Sequence, residues 1–206
     1  MKVILVNGSP HAKGCTYTAL KEVADTLQKN GIETEIFQLG TKPISGCLAC
    51  GKCFTTGKCI IDDCVNEFLD KVPGAGGFVF GTPVHYAAAS GQLTSFLHRV
   101  FYGKSRIFKG KVGAAVVSCR RGGAATAFDQ VNKYFTISGM PVVSSQYWNQ
   151  VHGSTPEEVI QDEEGMQTMR TLGNNMAWLL KCIEAGREKG ILVPEGEKPI
   201  RTDFIR

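Results

Sequence analysis

The sequence predicts an α/β fold, in which a doubly wound five-stranded parallel sheet carries helices on both faces. Three observations predict it. Continuous apolar runs such as "KVILV" (2–6) and "KVGAAVVS" (111–118) read as strands buried on both faces. Stretches with apolar residues at helical spacing alternate with these runs. Glycine and proline punctuate the joints between them. Five β/α alternations, with no internal repeat or linker, imply one parallel sheet with crossover helices.

The first strand, 2–6, ends in the turn Asn-Gly-Ser-Pro. Leu20, Val23, Ala24 and Leu27 keep helical spacing from Thr16 to Asn30, and Gly31 stops the helix. "ETEIFQL" (33–39) is a second strand, and "GGFVFGTP" (76–83) is a third, closed by a proline that cannot continue a central strand. Leu93, Phe96, Leu97, Val100 and Phe101 form one amphipathic stripe, with His98 beside it as a partly exposed helix residue. The fourth strand, 111–118, leads to a helix near 124–138, and "PVVSS" (141–145) is a short fifth strand. Met166, Met169, Leu172, Met176, Leu180 and Ile183 mark a last helix over about 163–189. Residues 1–189 therefore read as one domain with a cysteine-rich insertion at 45–64. Residues 190–206 read as an extended tail, too apolar at "ILV" and "FI" to hang free.

Composition narrows the function. With 206 residues and 43% hydrophobic content the chain can build a proper core. A net charge of +4 suits an anionic cofactor, whereas no long basic tract argues for nucleic acid. No apolar run approaches the roughly 20 residues of a membrane span, and the chain enters its first strand without a charged-then-apolar leader. The expectation is a cytoplasmic protein with no membrane partner. In that reducing compartment clustered cysteines point to metal or redox chemistry.

A doubly wound sheet binds ligands outside the carboxyl ends of its strands, where strand order reverses. The loop after strand one, "NGSPHAKGCT" (7–16), has the outline of a phosphate cradle: Gly8 and Gly14 permit tight backbone, Ser9 and Thr16 bring hydroxyls, and a new helix offers unpaired N–H groups. It is neither a Walker loop, since Cys15 stands where lysine is required, nor a G-x-G-x-x-G turn. The loop after strand three, "TPVHYAAASGQL" (82–93), places Pro83, Val84, His85 and Tyr86 at the same edge, suited to a planar heterocycle. After strand four, "SCRRGGAAT" (118–126) adds Arg120, Arg121 and two glycines. Tyr147, Trp148 and His152 lie beyond strand five, where they are candidates to cap a ring or to pack. No G-x-S-x-G elbow occurs, and no cysteine is followed six positions later by the arginine of a tyrosine phosphatase loop.

Five of the eight cysteines fall within "GCLACGKCFTTGKCIIDDC" (46–64). Cys47, Cys50, Cys53 and Cys59 have the spacing C-x2-C-x2-C-x5-C, with Gly51 and Gly57 free to wrap the chain around a small cluster. Spacing alone does not make Cys59 the fourth ligand, because in bacterial ferredoxins the fourth cysteine of a similar run serves another cluster. Cys64 is a spare at the start of the next helix. The alternatives are a thiolate zinc site, whose usual arrangement is two well-separated pairs, a switching disulfide, and a vacant motif. Cys119 and Cys182 read as small buried residues.

These segments together, "NGSPHAKGCT", the four-cysteine run, "GTPVHYAAASGQLTSFLHR" and the "RRGG" turn, resemble the flavodoxin-like NAD(P)H-dependent FMN reductases. Within that family they resemble the iron-sulfur flavoproteins, over nearly the whole chain. The resemblance implies strand order 2-1-3-4-5 with FMN at the sheet edge. Ser9, His11, Gly14, Cys15 and Thr16 would hold its phosphate. Pro83, Val84, His85 and Tyr86 would line the isoalloxazine, and Ser118, Arg120, Gly122 and Gly123 would lie along its other edge. A 4Fe-4S cluster would sit on Cys47, Cys50, Cys53 and Cys59, and NAD(P)H or reduced ferredoxin would donate electrons destined for a small acceptor or a redox protein. Family members commonly carry Arg or Lys where this chain has His11, and Asn where it has Cys15, which implies a looser hold on the phosphate. Flavin sites in this family often lie at subunit contacts, so a homo-oligomer is expected. The expected function is an FMN-dependent oxidoreductase or electron-transfer flavoprotein. The rival is a non-enzymatic redox carrier or sensor whose cysteines form a thiol switch or zinc site.

Overall fold

The computed structural model describes residues 1–204. In chain order the elements are β1 (Lys2–Asn7), α1 (Cys15–Lys29), β2 (Glu33–Gln38), α2 (Lys52–Thr56), α3 (Cys64–Lys71), β3 (Gly77–His85), β4 (Ala88–Ala89) and α4 (Gly91–Lys104). There follow β5 (Val112–Cys119), α5 (Ala124–Ile137), β6 (Gln150–His152), α6 (Pro156–Gln161) and α7 (Glu163–Glu188). The parallel strands stand in the order β2-β1-β3-β5-β6, and β4 is an antiparallel return off the end of β3. Counted without that two-residue return, this is the expected 2-1-3-4-5.

Strand alternation divides the apolar residues between two layers. Val3, Leu5, Val79 and Val116 face α1 and α7, against Leu20, Leu27, Met169 and Leu172. Ile4, Val6, Phe78 and Phe80 face α3, α4 and α5. The second layer is aromatic: Phe68 of α3 meets Phe37, Phe78 and Phe96 edge-on, with ring centroids 5.5, 5.8 and 5.1 Å away. Each such buried ring contributes roughly 1.5–3 kcal/mol. This packing fixes α4 against the sheet, and α4 in turn presents one side to the cysteine segment. Among the described residues no helix is long and apolar enough to cross a membrane.

Three details differ from the sequence expectation. First, β3 does not end at Pro83 but runs on to His85. The β1 ladder stops at the Asn7 and Gly81 pair, so proline's missing N–H costs nothing where β3 has β5 as its parallel neighbour. Second, the fifth parallel strand is Gln150–His152, and "PVVSS" contributes one bridge, between Val142 and Gly113. The Ser145 hydroxyl bonds Tyr147 O (2.6 Å) and Asn149 Oδ1 (2.7 Å), which folds the intervening residues into a loop and lifts them off the edge. Third, Cys119 is buried as expected, but Cys182 is exposed, because it lies off the stripe of α7 that packs on the sheet.

The tail beyond Gly190 has no helix or strand among the described residues, and residues 205 and 206 lie outside them. It is tied back by Ile191 N–H to Gly186 O (2.9 Å) and by Lys109 Nζ to Pro194 O (2.5 Å).

The loops at the carboxyl edge are drawn together by close backbone approach. Gly8 N–H donates to Gly81 O at 2.8 Å, and the Ser90 hydroxyl, which also caps α4, donates to Gly8 O at 2.8 Å. A Cβ on Gly8 would stand 2.7 Å from Gly81 O and 2.9 Å from Leu93 Cβ. Gly8→Ala should therefore separate β1 from β3 at the rim and cost about 1–3 kcal/mol in urea unfolding. An unchanged midpoint would show that the rim is looser than this contact requires.

Candidate functional site

At the carboxyl edge the first loop is built around buried Asn7. Its Oδ1 accepts Ser9 N–H (3.1 Å), its Nδ2 donates to Gln38 Oε1 (2.6 Å), and Ser9 Oγ accepts His11 N–H (3.1 Å). The loop delivers the chain into α1 through Gly14, with no side chain capping the helix. Likewise α5 begins at Gly123, in the left-handed region at φ 86°, with no side-chain cap. By contrast α3, α4, α6 and α7 are capped by Asp63, Ser90, Thr155 and Asp162. The first-turn amides of α1 are thus left without a side-chain acceptor, the condition under which a helix start can take an anion. His11, Lys13, Gly14 and Cys15 line one wall of a recess of about 450 Å³ there, and Ser154 and Thr155 the other. Lys13 is a residue the motif reading passed over. Its signal was a lysine just before the uncapped helix, and it supplies cationic charge beside His11.

The three hydroxyls singled out from sequence lie under this rim and not on it. Ser9, Thr16 and Ser118 are all buried, and the Thr16 and Ser118 hydroxyls share a hydrogen bond of 2.8 Å that ties α1 to β5. Cys15 is half-buried, its Sγ 3.7 Å from Gly153 O, and burial raises its pKa. Pro83 and Val84 are half-buried, whereas His85 and Tyr86 are exposed at the tip of the β3–β4 hairpin. Both tip residues have positive φ, 50° at Tyr86 and 57° at Ala87. Two-residue hairpins of the primed type require this, but Asn-Gly is the favoured pair, so Tyr-Ala holds strain of roughly 1–2 kcal/mol per residue. The hairpin leans on the β5–α5 turn, where a Cβ on Gly123 would stand 2.8 Å from Ala87 Cα. Arg120 and Gly122 are exposed on that turn. Tyr147 and His152 instead line a second, polar recess, in which Asp162 Oδ2 accepts His152 N–H at 2.7 Å.

The cysteine segment forms a separate recess against α4. Cys47, Cys50, Cys53 and Cys59 all line it, with apolar walls from Leu48, Ile60 and Leu69. Gly51 and Gly57, both left-handed, bracket α2 and turn the segment on itself. The floor is Gly103 of α4, where a Cβ would stand 2.9 Å from Cys53 Sγ. Asn66 clamps the backbone of Cys59 from both sides, accepting its N–H (2.9 Å) and donating to its carbonyl (3.0 Å). Cys47 Sγ accepts the N–H of Ala49 at 3.4 Å.

Sequence reasoning missed Arg99, the residue that organises this wall. Its Nε and Nη2 each lie 3.3 Å from Cys59 Sγ, and Asp63 holds it with Nη1–Oδ2 at 2.5 Å and Nη2–Oδ1 at 2.9 Å. Burial works against its charge, but Asp63 and Cys59 more than offset that, leaving its pKa above the ordinary value. Its local sequence, an arginine at the flank of the apolar stripe of α4, gave no signal of this role. Cys64 does not line the recess. It packs on the aromatic layer, where burial, helped by Asp63 and Glu67, pushes its pKa up to about 11.

The fold and these two sites define a doubly wound α/β protein with an open recess at its carboxyl rim and a separate thiol-lined pocket. The chain belongs to the NADPH-dependent FMN reductase family, which matches residues 1–154, and within it to the iron-sulfur flavoproteins. An iron-sulfur flavoprotein of Methanocaldococcus jannaschii is 34% identical over 194 residues, covering 89% of this chain and 100% of that one. One from Methanosarcina thermophila is 28% identical over 193 residues, covering 92% and 100%. Among solved structures, a flavone reductase shares the fold with TM-score 0.70 at 20% identity, over 89% of this chain and 64% of that one. An archaeal flavodoxin does so with TM-score 0.60 at 17% identity, over 88% and 99%. FMN is the cofactor that family membership supports.

Two outcomes test the site geometry. Ala87→Gly relieves the hairpin and should raise unfolding free energy by about 1 kcal/mol, while FMN binding measured by flavin fluorescence weakens as the tip loosens. A stability no higher than that of the unsubstituted protein would mean the turn is not strained. For Cys64, the pKa of about 11 stands above its unfolded value near 9.0. The unfolded chain then loses its proton first, so this group's contribution is fully present below pH 9 and lost as pH rises toward 11. Cys64→Ala should flatten that part of the stability profile in urea titrations between pH 8.5 and 11, and parallel profiles would contradict the assignment.

Proposed function

We propose that the protein is an FMN-dependent oxidoreductase that passes electrons from NAD(P)H or a reduced ferredoxin through FMN, with a 4Fe-4S cluster on Cys47, Cys50, Cys53 and Cys59, to a small acceptor or redox protein. The observation that carries this reading is the recess in which four cysteines of one irregular segment converge over the bare backbone of Gly103.

The residues fit both groups. At the rim, α1 and α5 begin at glycines without side-chain caps, and Lys13 and His11 stand beside the α1 start, which suits an anionic ligand. In the recess, the sulfurs line a common space, yet among the described residues no three His, Cys, Asp or Glu side chains gather closely enough for a single metal ion. Zinc needs all its sulfurs about 2.3 Å from one point. A cluster of four irons needs them spread around a larger body, and soft thiolates are its ligands. When bound, the flavin accepts two electrons as a hydride or passes them singly, and an iron-sulfur centre exchanges one.

The chain's own work is binding, orientation and shielding. The amides of Cys15 and Thr16, reached through the turn at Gly14, hold the phosphate with His11 and Lys13. The strained hairpin from Pro83 to Tyr86 lines the isoalloxazine, while Arg120, Gly122 and Gly123 border its other edge. Ser9, Thr16 and Ser118 keep the loops in register from beneath. The transfer itself requires no side chain as a general acid or base. Residues 1–189 act as the cofactor-binding domain, to which the tail is tied at Ile191 and Pro194, while Ile200 and Phe204 stay exposed. Exposed Tyr86 at the hairpin tip and exposed Ile137 near Cys47 favour a homo-oligomer in which a second subunit covers them.

The exposure of Cys47 and Cys50 favours a second reading, a thiol switch in a redox carrier. Protein purified without oxygen distinguishes the two. Flavin absorbance with about four irons and four sulfides per chain, and turnover with NAD(P)H or reduced ferredoxin, are expected of the oxidoreductase. Flavin without iron, with reversible loss of free thiols on oxidation and no turnover with either donor, would establish the switch in its place.

A further inference from the structure

We infer that Arg99 is a positioning residue of the cysteine recess, which selects Cys59 as its fourth sulfur and, by its charge, sets the reduction potential of the cluster held there. This rests on the cluster reading above.

Arg99 lies in α4, and its side chain is 1% exposed. A guanidinium so buried must have its charge and its donors satisfied. Its polar partners come from the cysteine segment: Asp63 in bidentate contact, Ile61 O at 2.9 Å from Nη2, Ser45 O at 3.5 Å from Nη1, and Cys59 Sγ at 3.3 Å from Nε and from Nη2. A brace between α4 and the segment would be complete with Asp63 and the carbonyls. Among the described residues, however, Nε has Cys59 Sγ as its sole acceptor. A neutral thiol is a weak acceptor, whereas a sulfur carrying negative charge matches a buried guanidinium. With Asn66 fixing its backbone, Cys59 is thus held by both main chain and side chain at the recess wall. Cys64, the other cysteine that could complete the set, has no such donor and lies in the apolar layer.

Hydrogen bonds to a ligand sulfur and a nearby positive charge favour the more negative, reduced state and so raise the potential. Asp63 partly cancels that charge. The two side chains together form an adjustable pair, and each member has a predictable sign.

The test uses the full chain, purified without oxygen, with iron, sulfide and flavin counted per chain and the cluster potential read by a redox titration followed by electron paramagnetic resonance. Arg99→Met preserves much of the stem and removes the donors. It should retain flavin but lose at least half its iron, or show at least a tenfold lower equilibrium constant for one-electron reduction, about 59 mV. Arg99→Lys should recover part of the loss, and Cys64→Ser should match the unsubstituted protein. Asp63→Asn keeps the α3 cap, since asparagine caps as well as aspartate, and should raise the potential. Unchanged iron and potential in Arg99→Met overturns the inference. If Arg99→Met loses flavin as well, and with it the fold, Asp63→Asn decides, and an unchanged potential there overturns the inference equally. Unsubstituted protein that holds flavin but no iron overturns the cluster reading itself, a result that the Arg99 variants cannot mimic.

Discussion

A positive charge buried between a helix and an irregular segment organises the cysteine half of this protein. Residues 45–63 contain a single five-residue helix and no strand, so the segment has little backbone ladder of its own to hold its shape. Arg99 supplies what is missing. It reaches out of α4 to two carbonyls, one carboxylate and one sulfur of that segment, and burial makes each of those bonds hard to give up. Left-handed turns at Gly51 and Gly57 fold the segment back, and bare backbone at Gly103 lets the Cys53 sulfur come close, which leaves one shared space.

The other half relies on close backbone approach. Gly8, Gly81 and Ser90 bind the ends of β1, β3 and α4 into one rim, and Thr16 and Ser118 do the same for α1 and β5. Glycine leaves the starts of α1 and α5 open at the rim, and that of α2 beside the cysteines, whereas Asp63, Ser90, Thr155 and Asp162 close α3, α4, α6 and α7. The strain in the Tyr86–Ala87 turn belongs to the same pattern, since local stability has been given up at a place suited to contact a ligand.

Much of this was legible in the sequence, because the signals were local. Apolar runs and helical stripes located nearly every long element, and the carboxyl-edge rule located the loops. What escaped was decided by neighbours. Pro83 sits inside a strand because β1 has already ended beside it, a fact of register that no pattern around Pro83 encodes. The edge strand moved from 141–145 to 150–152 because of side-chain bonds within a loop. Arg99 looked like an ordinary helix residue until its partners, 36 to 54 positions away, came into contact with it. The four-cysteine spacing named the right residues for one recess, but the reason Cys59 belongs and Cys64 does not is tertiary.

Helix α4 touches both regions: its capping serine is bonded into the rim and its ninth residue is Arg99. At 1.5 Å of rise per residue these points stand about 14 Å apart along a rigid axis. The helix is therefore a molecular ruler. The rod fixes the spacing of the two regions, and one residue added within it would lengthen it by ~1.5 Å and swing the guanidinium ~100° around the axis.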